Sequence, residues 1–298
     1  MIEPVRPGLS RRLLLASGVA AAAGLGVSER GFSMETKERN GGYAEVDGLR
    51  VYYERHGATS GTPIVLLAGG AMAIDTALAA DLIPRFSKTR PVIAVEPQGH
   101  GHTGDRQGPI RLSRLADDVV GVLDHLGVAR AHLVGHSLGG MIATEVAIHH
   151  PARTASLTAV SVTYNLDGMQ PELAKLQRGE IQEPTAELAP LLPTEADFAA
   201  WEANHRKHNP DPESFFPILE RLNVMLTTWE GWSPAQLGAI TAPTLLAIGD
   251  NDFTRIEHAA EMKRLIPGAQ LAVLPGTTHM DIFQRGAWLE PLIAARIG

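Results

Sequence analysis

Cysteine is absent from the chain, and that absence excludes disulfides, thiolate nucleophiles and Cys-ligated zinc. Long runs of lysine or arginine are missing too. Lys and Arg number 26 against 33 Asp and Glu, for a formal charge of −7. That balance argues against nucleic acid or an anionic membrane surface as partner. No apolar run is long and pure enough to read as a membrane span, because the best candidate, Leu13 to Val27, is rich in Ala and Gly. Metal-ligand spacing is lacking as well: His100 and His102 form a lone His-x-His without a third ligand at useful spacing, which reads as loop structure and not as zinc. What remains is a chain of 298 residues, 44% of them hydrophobic, able to bury a large core as one α/β domain with or without an insertion.

The N-terminal segment is of a different kind. Ser10-Arg11-Arg12-Leu13-Leu14-Leu15 precedes an uncharged stretch with small residues at Ala20 to Ala23. Paired arginines, a modest apolar region and small residues read as a twin-arginine export signal over residues 1–33. The expected location is therefore the periplasm or the exterior. A cytoplasmic protein that starts at Met34 is the alternative.

From Gly42 onward the pattern is strand and helix in turn. Tyr43 to Val46 and Leu49 to Tyr53 flank Asp47-Gly48, a two-residue hairpin signal. The unbroken apolar run Ile64 to Ala68 and the mostly apolar runs Val92 to Val95, His132 to Val134, Leu157 to Val162, Thr244 to Ile248 and Leu271 to Leu274 have the character of buried strands. Leu112, Leu115, Val119, Val122, Leu123 and Leu126 recur at three and four and are followed by Gly127, predicting an amphipathic helix with a glycine stop. Its Asp117-Asp118 pair reads as a solvated helix face. Thr254 with Glu257 has the spacing of a capping box.

Residues 163–234 change texture, with many Pro, Glu and polar residues and three of the four tryptophans. That segment reads as a helical cap inserted between two strands. Met169, Trp201, Trp229 and Trp232, with Phe215 and Phe216, are the candidates for the roof of a substrate pocket.

The densest stretch is Gly135-His136-Ser137-Leu138-Gly139-Gly140, between an apolar strand and a helical pattern that Pro151 stops. Gly-x-Ser-x-Gly in that context is a nucleophile elbow, a turn so tight that its flanking positions exclude side chains and the serine oxygen stands above the sheet. The N–H of Leu138 and the start of the helix then face charge that develops on an attacked carbonyl. Downstream, Gly249-Asp250-Asn251-Asp252 and Pro275-Gly276-Thr277-Thr278-His279 each follow an apolar strand. The order is serine, acid, histidine.

These segments, with Glu96 to Thr103, resemble the α/β-hydrolase superfamily from about Gly42 to Phe283. The resemblance implies a predominantly parallel sheet with helices on both faces and an inserted cap, and the order serine, acid, histidine is the one expected of that fold. Carried over by position, Ser137 is the nucleophile, His279 the general base and Asp252 the acid, with Asp250, Asp281 and Asp167 as rivals for that last role. The oxyanion donors are the N–H groups of Gly70 and Leu138. Ala68 stands where this family usually has a histidine. The implied activity is hydrolysis of a small carboxylic ester or lactone through an acyl-enzyme, with no cofactor or metal required. A serine nucleophile argues against haloalkane dehalogenases and epoxide hydrolases. Met280 after His279, where C–C bond hydrolases usually carry Trp, argues against those, and Gly69 to Met72 lacks the motif of proline iminopeptidases. A cofactor-free perhydrolase and a C–C bond hydrolase are the alternatives within the fold; a low-turnover binding or sensing protein is the alternative of another class.

Overall fold

The computed structural model describes residues 41–297, so the export-signal reading of residues 1–33 lies outside the described residues. Eight strands form one sheet in the order β1-β2-β4-β3-β5-β6-β7-β8. They are β1 Gly41–Val46, β2 Leu49–Gly57, β3 Ile64–Leu67, β4 Pro91–Val95, β5 Ala131–His136, β6 Thr154–Val160, β7 Thr244–Asn251 and β8 Gln270–Thr278. Only the β1–β2 and β2–β4 pairings are antiparallel; the others are parallel.

The apolar runs are continuous because both faces of the sheet are covered. In β3, Val65 and Leu67 belong to one core cluster and Ile64 and Leu66 to the other, all at 0% exposure. β4 divides the same way, with Ile93 and Val95 on one face and Val92 and Ala94 on the other. The β1–β2 turn has φ of 47° at Asp47 and 77° at Gly48, the double left-handed geometry of a type I′ hairpin.

The helices are α1 Ile74–Ala77, α2 Leu82–Phe86, α3 Leu112–His125, α4 Leu138–His149, α5 Pro171–Gln177, α6 Glu195–His208, α7 Phe215–Thr228, α8 Pro234–Gly238, α9 Ile256–Leu265 and α10 Gly286–Ile297. Residues of α3, α4 and α9 fill the core on one face, and residues of α1, α2 and α10 fill the other. None of the described helices is long and apolar enough to cross a membrane.

Two sequence expectations need correction. Asp117 is exposed, but Asp118 is 1% exposed and accepts from both terminal nitrogens of Arg106, at 2.8 and 2.7 Å. A loop arginine reaching under α3 turns that helix position inward. The capping box at Thr254 and Glu257 does not form: α9 begins after Arg255 with no side-chain cap, and Thr254 is held instead in a bridge to Met169.

Between β6 and β7 the chain makes a long excursion that carries α5, α6, α7 and α8. A backbone bond from Trp232 N–H to Tyr164 O, 2.8 Å, closes it at a neck. The excursion is tied down elsewhere by Asn209, whose side-chain amide donates to the carbonyls of Gly101 and Thr103 at 3.0 and 2.9 Å.

Candidate active site

The loops that leave the C-terminal ends of β3, β5, β6, β7 and β8 converge, as expected for ligand sites in open α/β sheets. At the end of β5 the chain turns directly into α4. The geometry demands glycine on both sides of the turn: a Cβ on Gly135 would lie 2.1 Å from Gly139 O, and one on Gly139 would lie 2.4 Å from Leu67 O and Ala68 O. Ser137 at the apex has φ 52° and ψ −120°, a conformation that costs a residue with a Cβ and is held by its surroundings. Its N–H donates to Val160 O at 2.9 Å and its carbonyl accepts from Met141 N–H at 2.8 Å.

His279 follows β8 and is 3% exposed. Its Nδ1 proton is donated to Asp252 Oδ1 at 2.8 Å. Asp252, just past β7 and 4% exposed, also accepts from Thr254 N–H on Oδ1 at 2.8 Å and from the Ser161 hydroxyl on Oδ2 at 2.5 Å. Burial pushes the Asp252 carboxyl up, but the His279 charge and the bonds from His279, Ser161 and Thr254 outweigh it and hold the group below its ordinary value. The rival acids are engaged elsewhere. Asp250 is exposed and accepts from Thr277 N–H at 3.1 Å. Asp281 accepts from Thr278 N–H at 2.7 Å and pairs with Arg285. Asp167 is exposed at the start of the excursion.

A cavity of about 520 Å³ opens over these groups, lined by Gly70, Ser137, Leu138, Ser161, Phe253 and His279 among others. Gly70 and Leu138 are close neighbours, since a Cβ on Gly70 would lie 3.7 Å from Leu138 Cδ2. Of the predicted roof residues, Met169 and Trp201 line the cavity. Trp229 and Trp232 do not: Trp232 is 4% exposed in the core and donates its indole N–H to Glu145 Oε2 at 2.6 Å, with Trp229 packed edge-on against it. Phe215 and Phe216 also pack away from it, edge-on to each other. A buried indole needs an acceptor, and Glu145 on α4 draws this pair into the sheet-facing side. A separate cleft of about 690 Å³ lies at the opposite, N-terminal ends of the strands, beside Gly57, Pro63 and Pro91, away from Ser137 and His279.

Several residues that shape the site have no motif to announce them. The ring of Phe253 stacks on His279 with centroids 3.8 Å apart. His136 donates from Nε2 to His279 O at 2.8 Å; burial, with His279 nearby, pushes its imidazole down to about 3, so it is neutral and serves as a fixed donor. The Gly70 loop lacks the usual histidine at Ala68 but is braced from another side. His100 Nε2 accepts from Ala71 N–H at 3.0 Å while its Nδ1–H donates to Gln98 O at 2.9 Å. Glu96 Oε1 accepts from Ile74 N–H at 3.1 Å and its Oε2 faces His102 Nδ1 at 3.0 Å. Both histidines of the His-x-His are thus engaged in the loop. Among the described residues no cluster of His and carboxylates suits a metal.

The sequence profile of the alpha/beta hydrolase family matches residues 56–291. A putative carbamate hydrolase of Variovorax paradoxus is 30% identical over 218 residues, covering 68% of this chain and 79% of that protein. Its counterpart in Azorhizobium caulinodans is 38% identical over 126 residues, 42% of this chain and 46% of that protein. The matched segment spans less than half the length of the first curated relatives. Among solved structures, Est816, described as an N-acyl homoserine lactone degrading enzyme, is 27% identical with a TM-score of 0.66, covering 85% of this chain and 99% of that one. With the profile spanning most of the sheet and its connecting helices, the chain belongs to the alpha/beta hydrolase family.

Proposed function

We propose that the chain is a serine hydrolase that cleaves small carboxylic esters or lactones through an acyl-enzyme on Ser137. The observation that carries this reading is the His279–Asp252 bond of 2.8 Å behind a cavity that Ser137 and His279 both line. A serine hydroxyl is a poor nucleophile at neutral pH and requires a positioned base. His279 takes the Ser137 proton through Nε2 as Oγ attacks the carbonyl carbon, and Asp252 keeps the imidazole in the tautomer that leaves Nε2 free to accept. The N–H groups of Gly70 and Leu138 receive the oxyanion, each worth about 3 kcal/mol of barrier. His279 then protonates the leaving alkoxide. Water, deprotonated by the same base, attacks the acyl-enzyme and releases the acid.

The excursion between β6 and β7 acts as the cap and supplies the acyl wall. Met169, Leu173, Leu176, Leu192, Phe198 and Trp201 line the cavity from that side, so the substrate's acyl part is apolar. That lining favours an ester or lactone over the carbamate named for the Variovorax relative. The lactone activity named for Est816 points the same way.

A fluorophosphonate probe and p-nitrophenyl butyrate test the reading. Wild type should be labelled and should turn the ester over; Ser137→Ala should do neither while keeping its fold. If Ser137→Ala kept more than about a tenth of the wild-type kcat, the nucleophile would be misassigned. Absence of turnover by the labelled wild type across an ester and lactone panel would favour a binding protein.

A further inference from the structure

Ser161 is a residue the chemistry above does not use. It is the first residue past β6, it is 3% exposed, and it sits at φ 55° although it is not glycine. A Cβ makes that left-handed region unfavourable, and strain of this kind persists where surrounding structure enforces it. Two contacts enforce it. Ser161 N–H donates to Ala247 O at 2.8 Å, which pins the residue to β7, the strand that delivers Asp252. Its hydroxyl donates to Asp252 Oδ2 at 2.5 Å.

The two carboxylate oxygens are therefore held by different parts of the chain. Oδ1 takes the bonds from His279 and Thr254, and Oδ2 takes the bond from Ser161. A carboxylate anchored through one oxygen still turns about its Cβ–Cγ bond. Anchored through both, its plane is fixed, and the Oδ1 lone pair stays aimed at His279 Nδ1. Glycine would occupy this backbone position without strain but brings no hydroxyl. A serine at a place that suits glycine points to use of its oxygen.

We propose that Ser161 is a positioning residue that fixes the plane of the Asp252 carboxylate and tempers its charge toward His279. The proposal rests on the assignment of Asp252 and His279 to the proton relay. Ser161 makes no bond to the reacting atoms and acts through Asp252. Its hydroxyl draws negative charge from the carboxylate. Without it, the imidazolium faces a fuller charge and its ring is held less firmly.

The test compares Ser161→Gly, Ser161→Ala and Ser137→Ala in the full chain, with kcat, KM, the pH profile of kcat/KM and Tm. Both Ser161 variants should lose kcat by about 10- to 100-fold, the effect of one charge-assisted hydrogen bond, with KM within about twofold. The acidic limb of the pH profile should move upward. Ser161→Gly, freed of the strain, should melt no lower than Ser161→Ala and still be slow, a combination that a space-filling role does not produce. Unchanged kcat and pH profile in both, beside an inactive Ser137→Ala, would overturn the proposal and leave the hydrolase reading intact. A loss of kcat that only follows the folded fraction, with the pH profile unmoved, would overturn it too. Activity in Ser137→Ala would instead sink the reading beneath it.

Discussion

Asp250, near the end of β7, and Asp252, just past it, are two residues apart, and their neighbours give them different work. Asp252→Asn leaves the hydrogen-bonding shape but presents a donor where His279 needs an acceptor, so the imidazole adopts the wrong tautomer. The expected result is a fall in kcat of about 10⁴-fold with KM little changed. Asp250→Asn removes an exposed carboxylate that accepts from Thr277 N–H and should cost far less. Steady-state kinetics on the two variants decides the matter, and the reverse ranking would move the acid to Asp250. At this scale the sequence was legible where a residue type carries its chemistry wherever it stands. Ser137, Asp252 and His279 each follow a strand that composition reveals. Ser161, Phe253 and His136 were not legible in that way, since a serine after an apolar run, an aromatic or a buried imidazole has many ordinary uses. Trp229 and Trp232 misled for the converse reason: their partner, Glu145, lies on a helix whose polar member says nothing about which indole will reach it.

Among the elements, the β5–α4 turn is the least forgiving. Gly139→Ala drives a methyl group into the backbone carbonyls of Leu67 and Ala68, which cannot yield without moving β3. A loss of about 3 kcal/mol or more is expected, the upper end of overpacking penalties. Gly238→Ala, at the end of α8, meets nothing closer than 3.8 Å and should be neutral or stabilising by up to about 1 kcal/mol. Urea unfolding of the two variants gives the comparison, and equal midpoints would contradict it. The parallel strands were readable because burial on both faces leaves an apolar run with no alternation. Helix starts were less so. The Thr254–Glu257 spacing failed as a cap because Thr254 is already committed to Met169 across the excursion, a tertiary contact that local spacing cannot announce.

For the whole molecule, acid is the exposure to expect. Burial pushes His100 and His132 down to about 4 and His136 to about 3, and lowers His205 and His258 as well. His100, His132 and His136 are neutral in the fold at neutral pH, while in the unfolded chain they take up protons near their ordinary value of about 6.5. Between that value and about 4 the unfolded state therefore binds more protons, and stability falls as pH falls, by up to about 1.4 kcal/mol per pH unit for each histidine. Urea midpoints should drop steadily from pH 7.5 to pH 5; a flat response would show that the histidines stay hydrated. Beyond the described residues, we propose export through the Arg11-Arg12 pair. Cell fractionation of wild type and an Arg11→Lys, Arg12→Lys double variant checks it, and a wild type found wholly in the cytoplasm ends that reading.

The neck of the excursion has a consequence for how such a chain diversifies. One main-chain bond, Trp232 N–H to Tyr164 O, joins the outgoing and returning strands of chain, while Ser137, Asp252 and His279 all lie outside the stretch it encloses. Loop closure depends only weakly on length, about 0.6 kcal/mol for each doubling. Loop closure itself therefore sets little penalty on a stretch of different size between Tyr164 and Trp232, provided the replacement restores the Asn209 and Met169 tethers and the core contacts of residues such as Ile218 and Leu222. Under the proposed function, much of the acyl wall and all three reacting groups sit on separate lengths of polypeptide, and a recombinant exchange at that neck is expected to change the first while keeping the second.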